Sequence, residues 1–115
     1  MTDPDLKRLR KIALALPGVE EGTSYGTLAF RVGGKFLARL HQDGESLVIK
    51  VEMGEREMLM ELDPETFYIT EHYRHSPMIL VRLAKVDPAE LRRLFEQAWR
   101  REAPKRLAAR AASGR

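Results

Sequence analysis

Apolar residues recur along the first half of the chain at two periods. Leu6, Leu9, Ala13 and Leu16 fall at helical spacing, with Lys7, Arg8, Arg10 and Lys11 on the other faces, until Pro17-Gly18 stops the run. Glu20 and Glu21 then read as part of a turn. From Thr27 the period drops to two: Leu28, Phe30 and Val32 alternate with Ala29 and Arg31. Gly33-Gly34 supplies the positive φ angles of a tight hairpin that returns along Lys35 to Leu40 and sets Arg31 opposite Phe36. Strict alternation places Ala29, Phe36, Ala38 and Leu40 on one face of this sheet and Phe30 and Leu37 on the other. After the turn Gln42-Asp43-Gly44-Glu45, Leu47, Ile49 and Val51 face one way and Val48 and Lys50 the other.

Glu55 to Leu62 is rich in helix formers, and Met58, Leu59 and Leu62 form a short apolar stripe that Asp63-Pro64 ends. Phe67 to Thr70 and Met78 to Leu83 read as strands on either side of the loop Glu71 to Pro77. Asp87-Pro88-Ala89-Glu90 then provides a cap, a first-turn proline and an acidic third position. Leu91, Leu94, Phe95, Ala98 and Trp99 follow on one helical face, and Pro104 ends that helix. The predicted order is α-β-β-β-α-β-β-α, an α+β fold with an antiparallel five-stranded sheet packed against helices. Residues 1–103 form the expected single domain. Residues 104–115 are a basic tail, either frayed or a short partner-dependent helix from Leu107.

A chain of 115 residues, 43% hydrophobic and 32% charged, suits one folded domain. It has no cysteine, which removes disulfides, thiolate metal sites and cysteine nucleophiles. Met1 to Leu6 is too polar for a signal peptide and no apolar run approaches the ~18 residues of a membrane span, so a cytoplasmic location without membrane contact is expected. The net charge of +3 is unevenly placed. From Arg100 onward six basic residues meet one acidic residue, whereas residues 1–99 carry 14 basic and 16 acidic groups.

The element order, with the strings Leu16-Pro17-Gly18-Val19-Glu20-Glu21-Gly22, Phe30-Arg31-Val32-Gly33-Gly34-Lys35, Leu47-Val48-Ile49-Lys50 and Ala103-Pro104-Lys105-Arg106-Leu107, resembles the MmcQ/YjbR family over nearly the whole chain. The resemblance implies a double-wing α+β domain that binds DNA. It also implies a likeness to secretion chaperones, hence the alternative of a protein- or peptide-binding adaptor, homodimeric or with another partner. The Gly33-Gly34 hairpin or the one enclosing Asp43-Gly44 would be one wing, and the His72 to Ser76 loop another.

The candidate nucleic-acid-binding residues are Arg31, Lys35, Arg39 and Lys50 on the sheet, Arg74 and His75 on the loop, and Lys105 and Arg106 in the tail. Tyr73 or Phe36 could stack on a base. The simpler account is a row of cations solvating an open sheet face. His72 and His75 have a metal-like spacing but lack a third ligand, so no metal or other cofactor is expected. No pair of carboxylates is singled out for acid/base work, and Ser24, Ser46 and Ser76 lack a nucleophile elbow; the expected function is non-enzymatic binding. Trp99 reads as core, and Met53, Met58 and Met60 as packing beside the short helix.

Overall fold

The computed structural model describes residues 3–113. Helix α1 (Asp3–Leu14) leads into four consecutive strands, β1 (Val19–Ser24), β2 (Thr27–Val32), β3 (Lys35–Leu40) and β4 (Ser46–Lys50). Then come α2 (Met53–Leu62), β5 (Phe67–Tyr68), a 3-10 turn at Glu71–Tyr73, β6 (Met78–Arg82), α3 (Pro88–Glu102) and α4 (Lys105–Ser113). The strands form one six-stranded sheet in the order β1-β2-β3-β4-β6-β5, with every neighbouring pair antiparallel. The α+β class and antiparallel sheet are as the pattern predicts, with one strand more.

The additional strand is β1, where the sequence suggests a turn. Val19 pairs with Val32 and Ser24 with Thr27, so Glu20 and Glu21 sit on an edge strand rather than in a loop. Its central residues are exposed. An edge strand of this kind needs no apolar alternation, because its hydrogen bonds to β2 hold it in place.

The hairpin expected at Gly33-Gly34 forms, with Val32 opposite Lys35 and Arg31 opposite Phe36. The register then shifts, and Phe30 meets Ala38 while Ala29 meets Arg39. Leu37 is therefore the extra residue of a β-bulge. Past it strict alternation fails. Leu37 and Ala38 both enter the helix-side core, and Arg39 takes the open face that Ala38 was expected to share.

Helices α1 and α3 cover one face. Leu9, Ile12 and Ala13 of α1 and Leu91, Leu94, Phe95, Ala98 and Trp99 of α3 pack against Phe30, Val32, Leu47, Ile49, Ile79 and Val81 of the sheet. Phe30 and Phe95 meet edge to face at 6.1 Å, and the Trp99 indole N–H donates to the Pro17 carbonyl at 2.8 Å. The capping reading of α3 needs correction: Pro88 opens the helix, but the Asp87 side chain makes no cap hydrogen bond. Glu90 instead accepts from Arg93 at 2.6 Å, and Arg93 reaches Glu55 of α2 at 2.9 Å.

Helix α2 also departs from its expected stripe. Its buried residues are Arg56 and Leu59, while Met53, Met58 and Leu62 are exposed. After Pro104 the chain resumes as α4, and Leu107 and Ala108 pack on the core. The segment from Leu107 is thus a docked helix rather than a frayed end. Two glycines permit the docking: a Cβ on Gly18 would come within 2.6 Å of Leu107, and one on Gly33 within 2.7 Å of Pro104. Both have positive φ. Arg115 lies outside the described residues.

Candidate functional site: a concavity floored by Arg39

The sheet face away from α1 and α3 carries a row of paired positions, Ala29, Arg39, Val48, Leu80 and Tyr68, running from β2 to β5. Val48 and Leu80 form a small second core with Tyr73, brought over this face by the 3-10 turn. That segment is held by Arg56. Its guanidinium donates to the carbonyls of Tyr73, Arg74, Ser76 and Met78 at 2.9 to 3.2 Å and to the Glu57 carboxylate at 3.3 Å, so the charge of a residue only 3% exposed is satisfied by backbone dipoles and one acidic neighbour.

Arg39 is the other buried arginine, 5% exposed. It donates to the Tyr73 hydroxyl, and at longer range to the Leu40 carbonyl at 3.3 Å, the Gln42 side-chain oxygen at 3.4 Å and the Thr27 hydroxyl at 3.5 Å. No carboxylate pairs with it among the described residues. Beside it opens a concavity of about 350 Å³ lined by Tyr25, Arg39, His41, Gln42, Thr70, His72 and Tyr73. The His41 Nδ1 atom is buried and makes no hydrogen bond. A buried cation with neutral partners, in a wall without acidic groups, is suited to holding an anion.

Tyr25 occupies the first central position of the two-residue turn between β1 and β2 with φ 51, followed by Gly26 with φ 77. Both values are those of a type I′ turn, where Asn, Asp or Gly is preferred. A tyrosine held there is strained by roughly 1–2 kcal/mol. Its side chain is 83% exposed, and the Arg39 guanidinium carbon lies 5.3 Å from its ring centre.

The sequence-predicted residues scatter around this site. Arg39 is its floor. Arg31 is half-buried on β2 and donates to the Thr23 carbonyl at 3.2 Å. Lys35 is exposed at the hairpin turn. Lys50 pairs with Glu102 of α3 at 3.3 Å, and Arg74 with Glu71 at 3.3 Å. His75 is exposed, and Lys105 and Arg106 are exposed on α4. His72 and Tyr73 join Arg39 with their rings edge to face at 4.7 Å, while Phe36 lies at the hairpin end. Among the described residues no group of three or more His, Cys, Asp or Glu side chains could hold a metal.

Sequence reasoning missed Tyr25, Gln42, Thr70 and the supporting Arg56. For Tyr25 a signal was present: an aromatic residue before glycine, between two segments that can pair, at a position that normally selects small polar residues.

A larger groove of about 660 Å³ is lined by Asp5, Asp43, Glu45, Ser46, Tyr68, Arg82, Ala84 and Lys85. Asp5, which accepts from Arg8 at 3.3 Å, and Arg82 and Asp43 are internally engaged. Arg82 lies over the Tyr68 ring at 4.1 Å and donates to the carbonyls of Pro64 and Glu65. Asp43 accepts the N–H groups of Glu45 and Ser46 at 2.9 and 3.0 Å. Burial pushes the Asp43 carboxyl up, but those N–H groups, the nearby His41 and the Ser46 hydroxyl together hold it below its ordinary range.

Residues 14–101 match the YjbR family model. The chain is 38% identical over 45 residues to uncharacterised proteins of Mycobacterium bovis and Mycobacterium tuberculosis, a match covering 39% of this chain and 35% of each relative. The match thus spans about a third of the length of those curated relatives. Its fold is similar to the crystal structure of Deinococcus radiodurans protein DR2400, described with the family domain DUF419, with a TM-score of 0.70 and 24% identity over 82% of this chain and 75% of that one. Among the described residues no helix is long and apolar enough to cross a membrane.

Proposed function

The chain belongs to the YjbR family, and on that premise we propose that it is a non-enzymatic binding domain that takes a phosphate group of DNA into the concavity floored by Arg39. The observation that carries this reading is that Arg39 is buried without a carboxylate partner. Burying a cation costs several kcal/mol unless an opposite charge arrives, so an incoming phosphate gains from a site whose desolvation is already complete in the folded chain. The guanidinium fork adds directional hydrogen bonds. The broad basic face suggested by the sequence has less support: Lys50 and Arg74 are engaged by acidic neighbours, and Lys105 and Arg106 stand on α4.

Fluorescence anisotropy with labelled single-stranded and duplex DNA at low salt tests the proposal. Wild-type protein binds; Arg39→Met weakens binding by about tenfold or more, and Arg39→Lys restores it only in part, while both keep the wild-type far-UV circular dichroism. Lys105→Ala and Arg106→Ala leave the binding of the Arg39 site in place. Absence of binding at every salt concentration, or an Arg39→Met variant that binds like wild type, overturns the reading.

A further inference from the structure

We infer that Tyr25 is a stacking platform for a base and that the ligand is a single strand of nucleic acid, with one base on the Tyr25 ring and an adjacent phosphate on Arg39. This inference rests on the reading given above and names the strand form that the site selects.

Two independent observations converge on it. The first is conformational. Tyr25 sits at a turn position with φ 51 where asparagine or glycine would be relaxed, and its side chain is 83% exposed. It therefore strains the turn and adds little burial in return. Backbone strain at an exposed residue is a reason to look for a role outside folding. The second is chemical. A buried guanidinium that lacks a carboxylate stands over one face of the ring at 5.3 Å, and the residue is 83% exposed, so the opposite face is an aromatic surface beside an anion site.

A phosphate alone would use Arg39 and ignore the ring. A duplex keeps its bases stacked on one another and cannot offer one to Tyr25 without unpairing it. A single strand can do both, because its bases have free faces and its phosphates follow at every nucleotide. His72 and Gln42 on the wall supply further polar contacts without a negative charge.

The test uses the full chain with two labelled probes of equal length, a short oligothymidylate and an abasic oligomer with the same phosphates and no bases. The oligothymidylate binds more tightly than the abasic oligomer. Tyr25→Asn weakens oligothymidylate binding by about 5- to 100-fold, a larger factor than it costs the abasic oligomer, and raises the melting temperature by about 3–6 °C because the turn is relieved. Tyr25→Trp retains the preference for bases. Equal binding of both probes, each lost in Arg39→Met, overturns the stacking inference and leaves the phosphate reading standing. A Tyr25→Asn protein that melts lower than wild type, or binds oligothymidylate as well as wild type, also overturns it. No binding of either probe removes both readings.

Discussion

Arg39 and Arg56 are both buried arginines, and their donors meet opposite circumstances. Arg56 spends its N–H groups on four backbone carbonyls of the segment from Tyr73 to Met78. Arg39 has a tyrosine hydroxyl and three longer contacts. One arginine builds a wall of the concavity and the other looks into it. Arg56→Met should lower unfolding free energy by about 3 kcal/mol in urea titration, since several buried carbonyls lose a charged donor together. Amide exchange across residues 71–76 should accelerate beyond what global destabilisation explains, because that segment loses its anchor. Nothing local in the sequence announces this role. Arg56 stands among Glu55, Glu57 and Met58 as an ordinary helix-surface cation would, and apart from the adjacent Glu57 its partners lie 17 to 22 positions away.

At the scale of elements, legibility followed the strength of the hydrophobic period. Helix α3 and strands β2 and β4 were readable because their helix-side core residues recur at 3.6 in α3 and at 2 in the strands, as Phe30 and Val32 and as Leu47 and Ile49. Strand β1 was not readable, since Val19-Glu20-Glu21-Gly22-Thr23-Ser24 buries almost nothing and is defined by its partner. The face of α2 that packs inward includes an arginine, so of the expected stripe only Leu59 is buried while Met58 and Leu62 lie outside. Helix α4 was open in the sequence between two forms, and tertiary contact selects one: Leu107 seats against Gly18, and Pro104 against Gly33. Gly33→Ala should cost more than about 1 kcal/mol through its positive φ and the clash with Pro104. Leu107→Ala should cost about 1–2 kcal/mol, less than Leu91→Ala at a fully buried core position, as measured by chemical denaturation.

For the molecule as a whole, acid stability is the clearest electrostatic readout. Asp43 has a folded-state pKa below its ordinary value, so its contribution is fully present above the unfolded pKa of about 3.9 and disappears as pH falls through the lower folded value. Asp43→Asn keeps an acceptor for the Glu45 and Ser46 N–H groups but no longer titrates. In urea titrations against pH, the wild-type advantage should therefore be greatest at neutral pH and shrink in acid below pH ~4. The sequence shows where the candidate cations stand along the chain but not which of them are neutralised, because Lys50 finds Glu102 from 52 positions away. The floor of the site was legible as a residue and illegible as a position. Alternation alone turns Arg39 toward the helices, and the bulge at Leu37 reverses that. Residue spacing along β3 therefore acts as a reading frame. Deleting a single residue there would exchange inside for outside over the rest of the strand, and a relative without the extra residue would have to carry its cation one position earlier to present the same chemistry.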